Sequence, residues 1–176
     1  MNSIARSTKR LLTLVAFHST TNMTITERFT DVRPTDERIA EFESVIQGSL
    51  PEDYKRFLKE ENGGRPSPDI FRFKTKDGNE EDSVLHYFFA LYEGRVGSIE
   101  RSFGFMKGRI PADYLAIATD SFGNMILLRT ALRGLGKVYF WDHEKEDEDA
   151  DMPTLKNMTA IAASFSEFIG LLEEEP

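Results

Sequence analysis

Residues 114–143 read YLAIATDSFGNMILLRTALRGLGKVYFWDH, and this stretch contains three short apolar runs separated by turn residues. The runs cover residues 115–119, 125–128 and 138–141, with Asp, Ser, Gly and Asn in the breaks between them. Short apolar runs bounded by such residues are typical of strands. The pattern therefore predicts a β-meander, whose paired strands gather apolar side chains around Trp141 that flanking helices can cover.

Two helices are predicted before the meander. The first starts near Pro34, ends at Gly48 and has an apolar face formed by Ile39, Phe42, Val45 and Ile46. The second starts at Pro51, which suits the first helical position, and its buried stripe consists of Tyr54, Phe57 and Leu58. Asn62, Gly63 and Gly64 are expected to end it.

Two strands and a short helix are predicted between Gly64 and the meander. Residues 70–74 alternate between apolar and charged, whereas residues 84–91 form the continuous apolar run of a central strand. Ser98 is expected to cap a helix that ends at Gly108. After the meander, Ser164 and Glu167 have the spacing of a capping box, so we predict a terminal amphipathic helix carrying Phe165, Phe168, Ile169 and Leu172.

The charge of the chain favours a basic partner. The chain of 176 residues has a net charge of −8, and residues 24–176 hold 19 of its 22 bases and all 30 acids, which gives −11. An acidic surface repels phosphate backbones, so nucleic-acid binding is not expected. The sequence has no cysteine and no apolar run near the roughly 18 residues of a membrane span. We expect a soluble, cytoplasmic protein.

The N-terminal segment differs from the rest of the chain. Residues 1–23 hold three bases and no acid, and an apolar run at residues 11–17 follows the bases. A weak secretory signal is one interpretation, but no clear cleavage motif follows the run. We favour a loose tail, or translation that starts at Met23, and we expect residues 24–176 to form one domain.

The densest charge follows the last strand of the meander. Six carboxylates are expected to form a docking surface for a basic partner: Glu144, Glu146, Asp147, Glu148, Asp149 and Asp151. Self-repulsion should keep this acidic run extended and exposed. A solvated surface loop without a binding role is the alternative.

No residue set has the pattern of a catalytic or metal site. The three histidines, His18, His86 and His143, are far apart, and an EF-hand register that starts at Asp142 fails because Asp147 and Pro153 stand where Gly and Glu are required. His86 is interpreted as a hydrogen-bonded member of a buried strand, and His143 as a surface residue. We therefore predict no catalytic residue, no metal and no cofactor.

Several short motifs occur in the order found in one family. They are LPEDY at 50–54, ENGG at 61–64, YLAIA at 114–118 with Asp120 and Gly123-Asn124, GKVYFWDHE at 136–144, and ASFSEF at 163–168. Together they resemble the SUKH superfamily, which contains the Smi/Knr cell-wall regulators and many bacterial immunity proteins. The resemblance covers about residues 35–174.

The resemblance implies a single α+β domain with a twisted, mostly antiparallel sheet packed by helices. It also implies a non-catalytic protein that binds a cognate toxin, often a nuclease; a regulatory or adaptor module is the main alternative, and an enzyme is the least favoured. The motif residues are expected to be structural: Pro51, Tyr54, Asn62, Gly63, Gly64, Asp120, Gly123, Trp141, Phe165 and Phe168. Toxin contacts vary between members, so the resemblance assigns none.

Overall fold

The fold is a six-stranded antiparallel sheet with helices packed against it, in a computed structural model that describes residues 23–147 and 150–175. In chain order its elements are β1 (Thr24–Glu27), α1 (Asp36–Ile46), α2 (Glu52–Glu60), β2 (Arg65–Ser67), β3 (Ile70–Lys74), β4 (Glu80–Phe88), α3 (Ile99–Met106), β5 (Tyr114–Asp120), β6 (Met125–Arg129), β7 (Val138–Trp141), β8 (Met158–Ala162) and α4 (Phe165–Gly170).

Strands β3 to β8 lie side by side in chain order, and every neighbouring pair is antiparallel. The predicted meander is confirmed as β5, β6 and β7 at the centre of this sheet. Strands β1 and β2 form a separate two-stranded sheet. The predicted α+β class is therefore confirmed, with a single six-stranded sheet at the centre of the domain.

The sheet curls strongly, so that its first and fifth strands touch across the core. The rings of Phe73 in β3 and Phe140 in β7 have centroids 4.7 Å apart, and Phe71 is 6.2 Å from the same ring. In a flat sheet these strands would be about 19 Å apart, because neighbouring strands are spaced by about 4.8 Å. The curl places the β3–β4 hairpin next to the segment before β8, where Lys76 Nζ donates to the carbonyl of Leu155 at 2.6 Å.

An aromatic cluster joins helices α2 and α4 to the sheet. Phe57 packs against Phe88 and Phe165 at centroid distances of 5.0 and 5.1 Å, and Tyr54 meets Phe165 edge to face at 4.9 Å. All seven residues of β5 are buried. Because side chains alternate between the faces of a strand, both faces of the sheet are covered there; α3 packs against β5.

The turn after α2 requires the residues Asn62, Gly63 and Gly64. A Cβ on Gly63 would lie 2.8 Å from the backbone of residues 88–90, and one on Gly64 would lie 2.3 Å from the carbonyl oxygen of Glu27. Asn62 is fully buried at a φ of 52°, and its side chain accepts from the amide of Leu91 at 2.8 Å. It also donates to the carbonyls of Val32 and Leu91. The turn thus fixes α2 to the end of β4.

Four predicted boundaries or faces were wrong in detail. Val45 is 57% exposed, because it lies about 90° around the helix from the centre of the buried face at about 100° per residue. Strand β4 runs over Glu80–Phe88 rather than 84–91, and α4 ends at Gly170, before Leu172. Pro51 is the N-cap of α2 rather than its first helical residue.

Three short strands were not predicted. Strand β8 reads MTAIA, and its alanines carry little strand signal, so that its assignment depends on pairing with β7. Strands β1 and β2 have four and three residues, and β2 contains Pro66. Such short segments become strands only through their partners.

Candidate partner-binding surface

The acidic run starts in a short turn that is fixed at its base. Residues His143–Lys145 form a 3₁₀ turn, for which Asp142 Oδ1 accepts the amide of Glu144 at 3.0 Å. The side chains of Glu144, Asp147 and Asp151 are exposed. Glu148 and Asp149 lie outside the described residues. The run therefore exposes carboxylates at the surface. Its first residues form a 3₁₀ turn, whereas we had predicted an extended segment because of the repulsion between its charges.

Glu146 is turned towards the core, unlike the other described acids of the run. Its carboxylate makes two hydrogen bonds with Arg109, from Nε at 3.0 Å and from the terminal nitrogen at 2.5 Å, and only 17% of its side chain is exposed. An ion pair of this fork-like geometry is among the stronger side-chain interactions. Arg109 compensates the repulsion that was expected to extend the run, because it neutralises one carboxylate in the middle of it.

Arg109 is itself held between two rings. Its guanidinium carbon lies 4.9 Å from the ring centroid of Phe105 and 5.2 Å from that of Trp141. Phe105 is 65% exposed, whereas Trp141 is 1% exposed and lies in the core. A cavity of about 350 Å³ lies beside the pair and is lined by both Arg109 and Glu146. The acidic run is thus attached to the core through a cation that stacks on a core ring.

A hydrogen-bond network supports the base of the run from the sheet. Asp120 is buried, and its carboxylate accepts from the Ser83 hydroxyl at 2.7 Å and from the side-chain and backbone nitrogens of Asn124. Asn124 Oδ1 in turn lies 2.8 Å from Nδ1 of His143 and accepts its amide at 3.1 Å. Since an amide oxygen only accepts, His143 carries a proton on Nδ1. The network connects β4, the β5–β6 turn and the 3₁₀ turn.

The curl of the sheet brings a second group of acids close to the run. The β3–β4 hairpin exposes Asp77, Glu80, Glu81 and Asp82. The pKa of Lys145, which lies within the run, reflects this proximity. Its hydrogen bond with Asp142 raises the pKa, and the nearby charges of Glu81 and Asp77 raise it further. The sequence does contain this Glu-Glu-Asp cluster, but nothing local places it beside residues 142–147. We call the two groups together the acidic surface.

Eight of the ten motif residues that we expected to be structural are buried inside the domain, whereas Pro51 is half-buried and Gly123 is exposed. Tyr54, Phe168 and Asn62 are fully buried, and Phe165 and Trp141 are nearly so. Gly123 turns the β5–β6 hairpin at a φ of 94°. The buried motif residues pack within the fold, and two of them, Asp120 and Trp141, also support the base of the acidic run.

His86 differs from its predicted environment. It is half-buried in β4, and its Nε2 lies 3.1 Å from a guanidinium nitrogen of Arg65. Because that nitrogen donates, His86 accepts in its neutral form. It is a hydrogen-bonded strand residue, but its face of the strand is not fully covered.

The described part of the chain holds neither a cluster of metal-binding side chains nor a helix that could span a membrane. Within residues 23–147 and 150–175, no group of three or more His, Asp or Glu side chains is arranged to hold a metal ion. Over the same ranges no helix is long and apolar enough to cross a membrane.

Two comparisons with known proteins match most of the chain. The model of the SMI1/KNR4 family (SUKH-1) matches residues 33–170, close to the range over which the motifs predicted the resemblance. A relative from Bacillus subtilis (strain 168), the SPbeta prophage-derived uncharacterized protein YokK, is 31% identical over 156 residues. The alignment covers 81% of this chain and 76% of the relative.

Proposed function

Because the chain belongs to the SMI1/KNR4 family (SUKH-1), which is known for immunity proteins, we propose that it neutralises a cognate bacterial toxin by direct binding in the cytoplasm. In this proposal it acts without catalysis and covers the active site of the toxin. The family's immunity proteins are generally non-catalytic. The observation that carries the proposal is the acidic surface, in which exposed carboxylates stand on a loop attached to the core by Arg109.

The charge of this surface determines which partner it fits. A toxin that cleaves nucleic acid binds phosphates with Lys and Arg, so that its active site is basic. Carboxylates at the surface of the immunity protein can pair with these side chains in place of phosphate. Opposite charges also steer the encounter and raise the association rate. A basic nuclease domain is therefore the partner we propose.

The attachment of the loop reduces the entropic cost of binding. A free acidic segment would have to be ordered on the toxin, whereas residues 142–146 are already held by Asp142, by Asn124 and by the Glu146–Arg109 pair. A binding surface that is ordered before it meets its partner loses less conformational entropy on association. Glu144 and Asp147 are thus presented in a defined position, and Glu146 contributes by holding them rather than by contacting the toxin.

Co-expression with each toxin-like protein that the neighbouring genes are found to encode tests the proposal. We expect the wild-type chain to restore growth of cells that produce the toxin domain, and to bind the purified domain in calorimetry. Growth restored without binding would indicate a regulatory role of the Smi/Knr type. Neither rescue nor binding, with every neighbouring candidate, would contradict the immunity function.

A further inference from the structure

A groove beside helix α3 lies near the acidic surface but has a different chemistry. Its volume is about 310 Å³, and the residues that define it here are Tyr87, Phe89, Arg95, Arg101, Ser102 and Phe105. We call it the arginine groove. Phe105 stands between the two sites, because it lines the groove and its ring also contacts Arg109.

The two arginines of the groove are not neutralised within the described chain. Arg95 and Arg101 are exposed, and neither has an ion pair or a side-chain hydrogen bond with any residue in 23–147 or 150–175. Glu100, the acid next to Arg101, is turned away and pairs with Arg38 at 2.7 Å. The chain as a whole has a net charge of −8, but the two unpaired guanidinium groups give this groove a local positive charge.

A neighbouring groove also contains two arginines, but in that groove both are paired with acids. It lies at Tyr87 and Val96, and its two arginines are Arg28 and Arg65. Both are already paired, Arg28 with Glu61 and Arg65 with Glu27 at 3.3 Å. That groove has no unpaired cation to offer a ligand.

A buried hydroxyl in the arginine groove also lacks a partner. Ser102 is 8% exposed, and its Oγ has no hydrogen-bond partner among the described residues. A helical serine ordinarily donates to a carbonyl of the preceding turn, and buried polar atoms are rarely left unpaired. A ligand in the groove would supply the missing acceptor.

Three further residues that line the groove are aromatic. The rings of Tyr87 and Phe89 meet edge to face at 5.5 Å, and Phe105 is 65% exposed. Aromatic side chains and arginine are enriched in protein interfaces relative to the rest of the protein surface. An apolar side chain placed against them would remove this surface from water.

We propose that the arginine groove docks a protein segment in which a carboxylate stands next to an aromatic or aliphatic side chain. Arg95 and Arg101 bind the carboxylate, since guanidinium and carboxylate groups match in geometry. A polyanion such as nucleic acid is disfavoured, because the acidic chain repels it over its whole length. For a single carboxylate on a protein segment, by contrast, the main electrostatic interaction is the attraction to the two nearby arginines. This inference does not depend on the partner of the acidic surface.

The test uses two sets of fluorescein-labelled dodecapeptides in a Gly-Ser frame. One set carries Asp or Glu beside Phe, Trp or Leu, and the other carries Lys in place of the acid. We expect the acidic set to bind the arginine groove of the full chain and the lysine set not to bind this groove. The double variant Arg95→Glu, Arg101→Glu should raise the dissociation constant at least tenfold.

A matched control distinguishes the loss of the two arginines in the groove from a change in the overall charge of the chain. Arg56→Glu with Arg133→Glu makes the same charge change at two exposed arginines that are not part of the groove. It should alter affinity less than twofold. Ser102→Ala should leave the thermal midpoint unchanged or higher and weaken the peptide about threefold. Absence of binding by the acidic set, equal losses in both double variants, or tighter binding of a dT₁₂ oligonucleotide would overturn the proposal.

Discussion

Trp141 shows how one residue can support both the core and the surface. Its side chain is 1% exposed, and the guanidinium carbon of Arg109 lies over the ring, 5.2 Å from its centroid. Burial of a large ring contributes several kcal/mol to stability, and a cation over the ring adds to it. The aromatic residue of the last meander strand is therefore connected directly to the position of the acidic run.

We expect Trp141→Ala to lower the free energy of unfolding by about 3 to 5 kcal/mol, because it leaves a large cavity in the core. The matched control is Leu132→Ala, whose side chain is 83% exposed; it should change stability by at most about 0.5 kcal/mol. Urea denaturation of both variants checks this. Equal midpoints would show that Trp141 contributes no packing to the core.

Replacement of Tyr54 is expected to raise the stability of the protein, in contrast to Trp141→Ala. Tyr54 is fully buried, its hydroxyl has no hydrogen-bond partner among the described residues, and burial raises the pKa of the phenol well above its ordinary value of 10.0. Leaving a buried hydroxyl unpaired costs about 1 to 3 kcal/mol. Tyr54→Phe should therefore raise stability by about 1 kcal/mol at pH 8.

The effect of Tyr54→Phe should increase at alkaline pH. Above pH 10 the unfolded chain loses the Tyr54 proton while the folded chain keeps it, so the wild type loses stability as the pH rises. At about pH 11 the variant should be stabilised by roughly a further 1.4 kcal/mol relative to the wild type. Urea midpoints at the two pH values measure this. A less stable variant at pH 8 would mean that the hydroxyl has a bonded partner.

At the level of elements, the acidic run behaves as a loop with one internal attachment. The pair of Arg109 with Glu146 joins residues 37 apart in the chain, and the amide of Glu146 also donates to the carbonyl of His143 at 3.2 Å. Hydrogen bonds between charged groups contribute about 1.5 to 3 kcal/mol. This is enough to determine whether residues 143–147 stay on the core.

We expect Arg109→Met to speed amide hydrogen exchange at Glu146, whose amide donates to His143, by about tenfold, because 1.4 kcal/mol corresponds to a factor of ten. The chain should keep its fold, since methionine still covers the Trp141 ring. Glu144→Gln is the control, because its side chain is exposed and its replacement leaves the Arg109 pair intact. Equal exchange in wild type and Arg109→Met would show that the pair does not hold the loop.

At the level of the whole molecule, charge should govern encounter with the proposed toxin more than retention. Replacing Glu144, Asp147, Glu148 and Asp149 by their amides should lower the association rate and flatten its dependence on salt. Exposed charges are screened over about 8 Å at physiological ionic strength. Glu60, Glu93, Glu174 and Glu175, replaced in the same way, form the matched control; they are exposed and lie outside the acidic surface. An unchanged rate and salt slope in the first variant would place the toxin on another face.

A second prediction at this scale concerns the domain boundary. Residues 24–176 should fold and bind without residues 1–23, because strand β1 begins at Thr24 and the family match begins at residue 33. Thermal unfolding of the truncated chain should agree with the full chain to within about 4 °C, a shift that corresponds to roughly 1 kcal/mol. A larger decrease would mean that the first residues pack against the domain.

The kinds of element and their order follow from local patterns in this sequence. Spacing of apolar residues and the Gly, Asn and Pro breaks predicted α1, α2, β3, α3 and the meander, because each depends on neighbours only a few residues away. The acids of the run could likewise be identified from the sequence alone. Strands β1, β2 and β8 could not be predicted in this way, since segments of three to five residues are too short to show a clear pattern and become strands only when a partner is present.

Only the tertiary structure determined how the acids are used. The curl of the sheet, produced by contacts such as Phe73 with Phe140, brings the β3–β4 hairpin beside the run. The loop after α3 places Arg109 on Trp141, where it neutralises Glu146. These contacts join residues far apart in the chain, and no local pattern records such distances. The sequence by itself determined a charged loop after the last meander strand, and the packing of the core decided which of its carboxylates face a partner.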